Sequence, residues 1–378
     1  LVAERGFTGG ESTVRRKVRE MKGSQPQVFV PLAFSPGEAI QVDWGEGTVY
    51  LHDKRVTIKL FCSRLCSSCA PIVFAYRRQN EESFLEAFVR TFRFFGGVPE
   101  KVIFDNGKVA VKDGFGAHAK KQAGYTALSA HYGFDALFCN PAEGHEKGLV
   151  EGLVGWARRN ILVPVPRINS LGELNSLLEQ RCLEYRSHHI TGKPASVGEM
   201  FEKERVSLRT LPGYEFETAK CSSVRVNSFS TARFDTNDYS VPVSYCGSNV
   251  SVKGYAEKVD IYCKGQLIAS HERCFKRHKP IYKLEHYLPI LEYRGRAVFN
   301  AAPVRQNLPP EFLDWLKIHS ADHKELMQLL WDCADRGWEN VWKSNVSITK
   351  KPVIADIVPV SPVNLEKYDL LAGRRVGA

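Results

Sequence analysis

The chain has 378 residues, of which 43% are hydrophobic and 25% charged, values that are ordinary for a soluble globular protein. No signal peptide and no apolar run of membrane length is visible, so we expect a soluble, cytoplasmic protein. The 52 Lys and Arg residues outnumber the 42 Asp and Glu residues, and the net charge of +10 favours an anionic partner such as nucleic acid. The length predicts two or three domains.

A basic helix is predicted near the start of the chain. Residues 1–22 begin without a methionine, which indicates that an N-terminal portion is missing, and Ser12 or Thr13 can cap a helix after a Gly-Gly turn. Apolar residues share one face of this helix, and the other face carries the basic residues Arg15, Arg16, Lys17 and Arg19. The pattern is typical of the last helix of a helix-turn-helix module that binds DNA, with a solvated helix face as the alternative.

Residues 23–37 read as a linker, and residues 38–188 carry the pattern of an α/β domain. Apolar and polar residues alternate from Ala39 to Trp44, which predicts a strand that ends in a turn at residues 45–47. Further strands are expected in TVYLHDKRVTIKLFC, APIVFAYRR, KVIFDNG and FDALFC. Helices are expected after Asn80 and in AHAKKQAGYTALSAHYG, EKGLVEGLVGWARRNIL and SLGELNSLLEQRCLEYRSHH. Three strands followed by alternating helices and strands predict one mixed five-stranded sheet.

The rest of the chain changes character twice. Residues 189–217 read as a connector, and residues 218–285 have short β-rich runs split by turn signals, which predict a small antiparallel β-barrel. A basic turn, FKRHKP, lies near the end of this segment and supplies Lys276 and Arg277 as candidate DNA contacts. Residues 286–378 are predicted to form a helical C-terminal region that ends in a loosely ordered tail.

Three carboxylates occupy positions that a sheet and a helix can bring together. Asp43 lies on the first predicted strand, Asp105 ends the strand in KVIFDNG, and Glu151 lies on the helix EKGLVEGLVGW. Singly, each has an ordinary explanation as a strand-end, turn or surface residue. Together they would repel one another unless cations lay between them, and hard divalent ions prefer oxygen ligands. The three therefore predict a two-metal site that supports an in-line phosphoryl displacement.

Small and basic residues surround Glu151 along its helix. Two of its four neighbours at helical spacing, Gly148 and Gly155, lack side chains, which leaves room for a phosphate backbone. The candidate phosphate contacts near the carboxylates are Lys108, Lys112, Lys147, Arg158 and Arg159. For each of them a solvated surface cation is the alternative.

Other possible metal ligands do not form a pattern. His118, His131 and His145 lie on different predicted elements without paired ligand spacing. Cys62, Cys66 and Cys69 cluster, but no second pair of cysteines follows at zinc-site spacing, so we expect buried thiols in a reducing compartment.

The motifs QVDWGE, FDNGKVAV and EKGLVEG, with YSVP and IASHERC further along, resemble those of the IstA-type insertion-sequence transposases. These are relatives of retroviral integrases with a DDE catalytic domain on an RNase H-like fold. The resemblance covers nearly the whole chain and implies that Asp43, Asp105 and Glu151 form the metal-binding triad. Glu143 and Glu146 are rivals for the third position, and Glu151 is preferred because it follows the family's KG-L-V pattern within a helix.

The resemblance also implies a reaction and its participants. The implied reaction is metal-dependent 3′-end cleavage and strand transfer of an insertion sequence. The implied cofactors are two Mg²⁺ ions, which Mn²⁺ can replace. The implied partners are double-stranded DNA, as transposon ends and as target, further copies of the chain, and an AAA+ ATPase helper of the IstB type. The implied cellular location is the bacterial cytoplasm, in association with the nucleoid. A DNA-binding protein without catalysis and a plain RNase H-like nuclease are the alternatives. The family's N-terminal helix-turn-helix region is represented only by its last helix.

Overall fold

The structure is a computed structural model, and it describes residues 11–22, 33–104, 111–113, 120–121, 123–138 and 148–346. The chain divides into two compact units, of which the first comprises Leu1–Tyr239 with Gly247–Ile281 and the second comprises Ser240–Cys246 with Tyr282–Ala378. Among the residues described, no helix has the length and apolar character needed to cross a membrane.

A mixed β-sheet lies at the centre of the first unit. The first eight strands are β1 (Ala39–Leu51), β2 (Lys54–Leu65), β3 (Pro71–Tyr76), β4 (Lys101–Phe104), β5 (Val111–Asp113), β6 (Lys120–Lys121), β7 (Asp135–Phe138) and β8 (Arg167–Ile168). The sheet has the order β3-β2-β1-β4-β7, with β8 pairing to β1, while β5 and β6 pair only with each other. Strands β1, β2 and β3 are antiparallel, whereas β4 and β7 run parallel to β1. The mixed sheet predicted from the sequence is thereby confirmed, but it has six strands rather than five because β8 also pairs with β1.

The predicted turn at residues 45–47 was wrong. Strand β1 continues through these residues, and Gly45 and Gly47 pair with Leu60 and Ile58 of β2. The hairpin instead turns at His52 and Asp53, whose φ angles are 48° and 59°. The two glycines therefore do not mark a turn here. Glycine in the middle of a strand can instead allow another part of the chain to approach the backbone closely.

Helices border the sheet, and their ends follow local signals. The helices of this unit are α1 (Glu11–Lys22), α2 (Glu81–Phe95), α3 (Ala123–Tyr132), α4 (Gly148–Asn160), α5 (Leu171–Glu184) and α6 (Val197–Arg205). The Asn80 side chain caps α2 by accepting from Ser83 N, and Gly96 ends α2 in the left-handed conformation. The Phe84, Phe88 and Phe92 side chains are buried in the core, as the stripe on this helix predicted.

Two details of this unit differ from the sequence interpretation. The helix expected from residue 117 begins only at Ala123, because Lys120 and Lys121 pair with β5 instead. The connector at 189–217 contains helix α6, which begins at a capping box formed by Ser196 and Glu199.

The β-rich segment consists of two sheets. Its strands are β9 (Lys220–Arg225), β10 (Thr231–Phe234), β11 (Asn237–Ser240), β12 (Asn249–Gly254), β13 (Lys258–Cys263), β14 (Gln266–Glu272) and β15 (Pro280–Ile281). One sheet is antiparallel with the order β14-β13-β12-β9, and the other has the order β10-β11-β15 with β11 and β15 parallel. The predicted β-rich character is confirmed, whereas the strand pairs found in the described residues do not close a barrel.

The described part of the second unit is helical, and the sequence predicted a helical C-terminal region with a tail for residues 286–378. Its helices are α7 (Leu288–Leu291), α8 (Ala302–Asn307), α9 (Pro310–His319), α10 (His323–Arg336) and α11 (Trp338–Val346), with 3₁₀ turns at Val243–Tyr245, Leu284–His286 and Gly295–Asn300. Its core is built around Leu288, Phe312, Leu316 and Leu330, which are fully buried. The predicted tail, residues 347–378, lies outside the described residues.

Candidate active site

Asp43 stands on the central strand of the sheet. It is half-buried in β1, opposite Cys62 of β2, and its Oδ1 accepts a hydrogen bond from Trp44 N at 2.8 Å. The Trp44 ring packs against the rings of Phe61 and Tyr76, with centroids 5.3 and 6.0 Å apart. The strand that carries this carboxylate is therefore fixed on both sides by pairing and beneath by aromatic packing.

The thiol opposite Asp43 is chemically quiet. Burial raises the pKa of Cys62, and the nearby negative charge of Asp43 raises it further. Burial also raises the pKa of Cys66. Burial is likewise the main cause of the raised pKa of Cys69. Because thiolates are the form that reacts and binds metals, these three cysteines act as buried packing groups.

The parallel strand β4 ends beside Asp43. Phe104, the last residue of β4, pairs with Val42, the residue before Asp43. The second predicted carboxylate, Asp105, follows Phe104 directly in sequence but lies outside the described residues. The backbone register thus brings β4 to its end at the level of Asp43.

Helix α4 packs closely over the glycines of β1. A Cβ atom on Gly45 would lie 2.4 Å from Val154 Cγ1, and one on Gly47 would lie 2.4 Å from Leu162 Cδ1. Only a strand without side chains at these two positions lets the helix and the following turn approach so near. Because Val154 precedes Leu162 as Gly45 precedes Gly47, the segment from α4 to Leu162 advances in the direction of β1.

The position of Glu151 follows from this contact. On α4, residue 151 lies three residues before Val154, which is about one turn, and on β1 Asp43 lies two residues before Gly45 on the same face. The Glu151 side chain is not among those described. Among the described side chains, which include neither Asp105 nor that of Glu151, no three potential metal ligands come together.

The predicted DNA contacts near the carboxylates are described only in part. Arg158 and Arg159 are exposed near the end of α4, and Arg158 Nε donates to the Glu46 carbonyl oxygen at 2.6 Å, which ties the helix to β1. Lys108, Lys112 and Lys147 either lie outside the described residues or have side chains that are not described.

The more distant predicted contacts are mostly exposed. On α1, Arg15, Arg16 and Lys17 are exposed, and Glu20 lies 4.0 Å from Arg16 and 3.2 Å from Lys17. The side chain of Arg19 is not described. Lys276 and Arg277 are both exposed on the turn that follows β14.

Of the three histidines considered as zinc ligands, the structure describes only His131. His131 Nε2 lies 3.1 Å from the Tyr214 carbonyl oxygen, and its ring packs edge-on against Tyr132, Tyr214 and Phe216. His131 is therefore a packing residue. His118 and His145 lie outside the described residues.

Sequence reasoning missed two buried charged groups that hold the domain together. Glu204 of α6, only 1% exposed, accepts hydrogen bonds from Gly37 N (3.2 Å) and Ser68 N (2.8 Å) and so fixes the start of β1. Arg273 at the end of β14 donates to Glu82 of α2 (3.2 Å) and to Asp235 (2.7 Å). No local motif marks either residue, because their partners lie far away in sequence.

Comparison with known proteins places the chain in a family. The family model "Mu transposase, C-terminal domain" matches residues 211–283, which is the β-rich segment and the end of the connector. The transposase for insertion sequences IS1326/IS1353 of Pseudomonas aeruginosa is 35% identical over 325 residues, covering 81% of this chain and 63% of that protein. The transposase for insertion sequence element IS21 of P. aeruginosa is 30% identical over 288 residues, covering 75% of this chain and 74% of that protein.

These relatives define the class as insertion-sequence transposases. The chain belongs to the family that includes the IS21 and IS1326/IS1353 transposases, and it spans 63% of the length of the latter. Among solved structures, the HTLV-2 integrase catalytic core domain in complex with magnesium matches with 16% identity and a TM-score of 0.33, covering 44% of this chain and 97% of that chain.

Proposed function

We propose that this chain is the catalytic portion of a DDE transposase with an RNase H-like core. In this proposal, the chain cuts the 3′ ends of an insertion sequence and joins them to target DNA. The observation that carries the proposal is that β4 ends beside Asp43 and that α4, through Val154, packs against Gly45, two residues further along β1. In the sequence, Asp105 directly follows β4 and Glu151 lies on α4.

The residues of this site suit a divalent cation. Asp43 supplies carboxylate oxygens on a strand that pairing and aromatic packing hold still, and Asp105 and Glu151 would add two further carboxylates. Oxygen donors of this kind are what Mg²⁺ prefers, and Mn²⁺ accepts the same set. When bound, two such ions lower the pKa of the attacking hydroxyl or water and stabilise the leaving oxygen.

In the proposed reaction, the protein's side chains position the metal ions and the DNA. Water attacks the phosphorus at the transposon end, the bond from phosphorus to the 3′ oxygen breaks, and a 3′-hydroxyl is released. That hydroxyl then attacks a target phosphodiester, forming a new P–O bond while the target's 3′ oxygen leaves and takes up a proton. The carboxylates remain ligands throughout, so no covalent enzyme intermediate forms. Arg158 and Arg159 line the approach on α4, where they can hold the phosphate backbone.

The proposal extends to partners. Double-stranded DNA is the substrate at both steps, and paired ends require more than one copy of the chain. The ATPase helper of the IstB type would supply ATP hydrolysis, because no P-loop motif occurs in this sequence. The basic helix α1 and the basic turn with Lys276 and Arg277 would add contacts to the DNA backbone. Association with the nucleoid would follow from these contacts.

The test is cleavage and joining of end-containing DNA by the 378-residue chain with Mg²⁺ or Mn²⁺. We expect Asp43→Asn to lower both steps at least a hundredfold, since even partners that only orient metal ligands account for about 10–100-fold. Asp135→Asn is the matched control, because Asp135 is an exposed aspartate at the start of the parallel strand β7.

The possible outcomes distinguish a transposase from a nuclease and from a non-catalytic DNA-binding protein. Cleavage without joining by the unaltered chain would identify a nuclease, and DNA binding without either step would identify a non-catalytic protein. If Asp43→Asn cleaves and joins as well as Asp135→Asn does, the proposed site is wrong.

A further inference from the structure

A rigid basic turn follows strand β14. The buried side chain of Asn237 spans it: Nδ2 donates to the carbonyl oxygens of Cys274 (2.9 Å) and Lys276 (2.8 Å), and Oδ1 accepts from Lys279 N (3.0 Å). His278 has a φ of 54°, so the backbone bends sharply. Every side chain from residue 276 to residue 279 is exposed on this turn. The cations are thus presented by a pre-formed loop rather than by a flexible one.

The basic turn rests against the far end of the central sheet. The Arg78 guanidinium donates to the Phe275 carbonyl oxygen and lies 5.2 Å from the centroid of the Phe275 ring. Phe275 and Arg78 line a cavity of about 120 Å³ together with Leu51 and Val56 of the β1–β2 hairpin. The exposed residues Lys54 and Arg55 precede Val56 on β2, so they lie on the hairpin that reaches this cavity.

The four cations of this region are not neutralised by described carboxylates. Within the residues described, Lys54, Arg55, Lys276 and Arg277 have no carboxylate within ion-pair distance. Some other cations of the first unit are paired: Lys253 with Glu217 at 2.6 Å, Lys220 with Asp235 at 3.4 Å, and Arg167 with Asp53 at 2.6 Å. A group of unneutralised cations on a stiff support is what phosphate binding requires.

We propose that Lys54, Arg55, Lys276 and Arg277 form one surface, the far-end surface, that grips the backbone of duplex DNA away from the reacting phosphate. The inference deepens the proposed function and rests on it, because it assigns the hairpin of the catalytic domain and the basic turn to a single DNA segment. Arg78 and Phe275 are the positioning residues that join the two parts.

The surface is distant from the carboxylate site. Asp43 and Leu51 are eight residues apart on β1, which corresponds to about 26 Å at about 3.3 Å per residue. At about 3.4 Å per base pair, this distance spans about eight base pairs. For a duplex whose axis runs along β1, the far-end surface would therefore protect DNA phosphates about eight base pairs from the cleavage position.

Binding in the presence of EDTA tests the surface independently of catalysis. The salt dependence of the dissociation constant for a 30-base-pair end duplex would be measured for the 378-residue chain and for Lys276→Gln/Arg277→Gln and Lys54→Gln/Arg55→Gln. Each double variant should reduce the magnitude of the log–log salt slope by about 2 and weaken binding on the order of tenfold or more. Lys220→Gln/Lys253→Gln removes the same charge from paired cations and should change the slope by less than about 0.5.

Hydroxyl-radical footprinting supplies the second readout. Protection about eight base pairs from the cleavage position should weaken in both double variants and persist in the control. Equal slopes and footprints for all four proteins would overturn the far-end surface. If the slopes fall as expected while Asp43→Asn still cleaves and joins, the surface stands and the proposed function fails. If Asp43→Asn is inactive while the slopes stay unchanged, the function stands and the surface fails.

Discussion

The two ends of strand β1 are built in opposite ways. Near Asp43 the strand carries a carboxylate and two glycines, and helix α4 packs directly onto the backbone there. Near Leu51 the strand leads to a hairpin with exposed cations, and the β-rich segment rests against it through Arg78 and Phe275. One rigid strand therefore connects a negatively charged end to a positively charged end.

This difference shows how a single sheet can keep a metal-binding site apart from a DNA-binding surface. Carboxylates suit metal ions, whereas unpaired cations suit phosphates, and placing both at one position would neutralise them. The strand keeps the two groups at a fixed spacing of about 26 Å. The variants below test how each end is held.

The largest expected effect is at the cationic end. Arg273 and Glu82 are both buried, and Arg273 also donates to Asp235 and to the Tyr255 carbonyl oxygen. Arg273→Met would leave Glu82 as a buried charge without this partner, so we expect a loss of about 3–5 kcal/mol in the free energy of unfolding. Urea denaturation measures it, with the exposed Arg277→Met as the control at within about 0.5 kcal/mol. Equal stability of the two variants would show that the buried network does not anchor the basic turn.

At the carboxylate end, the close approach of α4 to β1 is tested at Gly45. Gly45→Ala should destabilise by about 1–3 kcal/mol, because the new Cβ would meet the stiff, branched side chain of Val154. Gly152→Ala is the control: Gly152 is exposed on the same helix with no atom within 4 Å of a new Cβ, so it should stay within about 1 kcal/mol of the original or gain stability.

A double-mutant cycle sharpens the Gly45 result. In a Val154→Ala background the clash disappears, so Gly45→Ala should cost less there than in the original chain. Equal costs in both backgrounds would show that Gly45 is not needed for the contact with α4. Gly47→Ala should be milder than Gly45→Ala, since it meets the flexible end of Leu162.

The smallest expected effect is a pH dependence at the cationic end. Burial raises the pKa of Glu257 to about 7, against the hydrogen bond from Arg77 N and the charge of Arg77, which lower it. A raised folded-state pKa gives stability that is fully present below about pH 4.5 and is lost as pH rises through about 7. The thermal midpoint should therefore fall from pH 5 to pH 8 less steeply for Glu257→Gln than for the original chain.

The exposed Glu100→Gln serves as the control for this pH series and should keep the original slope. Parallel curves for Glu257→Gln and the original chain would contradict the assignment of this titration to Glu257.

Local signals in the sequence were enough to predict much of the fold. The cap at Asn80, the phenylalanine stripe of α2 and its end at Gly96 each depend on residues within one helix, so they could be read directly. The order of strands and helices then predicted the mixed sheet. The role of Gly45 and Gly47 could not be read, because the side chains that occupy their Cβ space lie more than 100 residues away in sequence.

Of the three predicted carboxylates, only the side chain of Asp43 lies among the described residues. Asp43 was noticed because a carboxylate is unusual in a buried strand, and the structure places it beside the end of β4. Of the proposed far-end surface, the sequence indicated only Lys276 and Arg277, because the cavity that Phe275 shares with Val56 of the hairpin is a tertiary feature without a sequence signature. The convergence of Asp105 and Glu151 on Asp43 stays a prediction.

The most direct test of the central claim is anomalous X-ray diffraction from crystals of the 378-residue chain grown with Mn²⁺. The proposal expects manganese peaks bound by carboxylate oxygens of Asp43, Asp105 and Glu151 at about 2.1 Å. Crystals in which these three carboxylates lie apart, with no manganese among them, would contradict it.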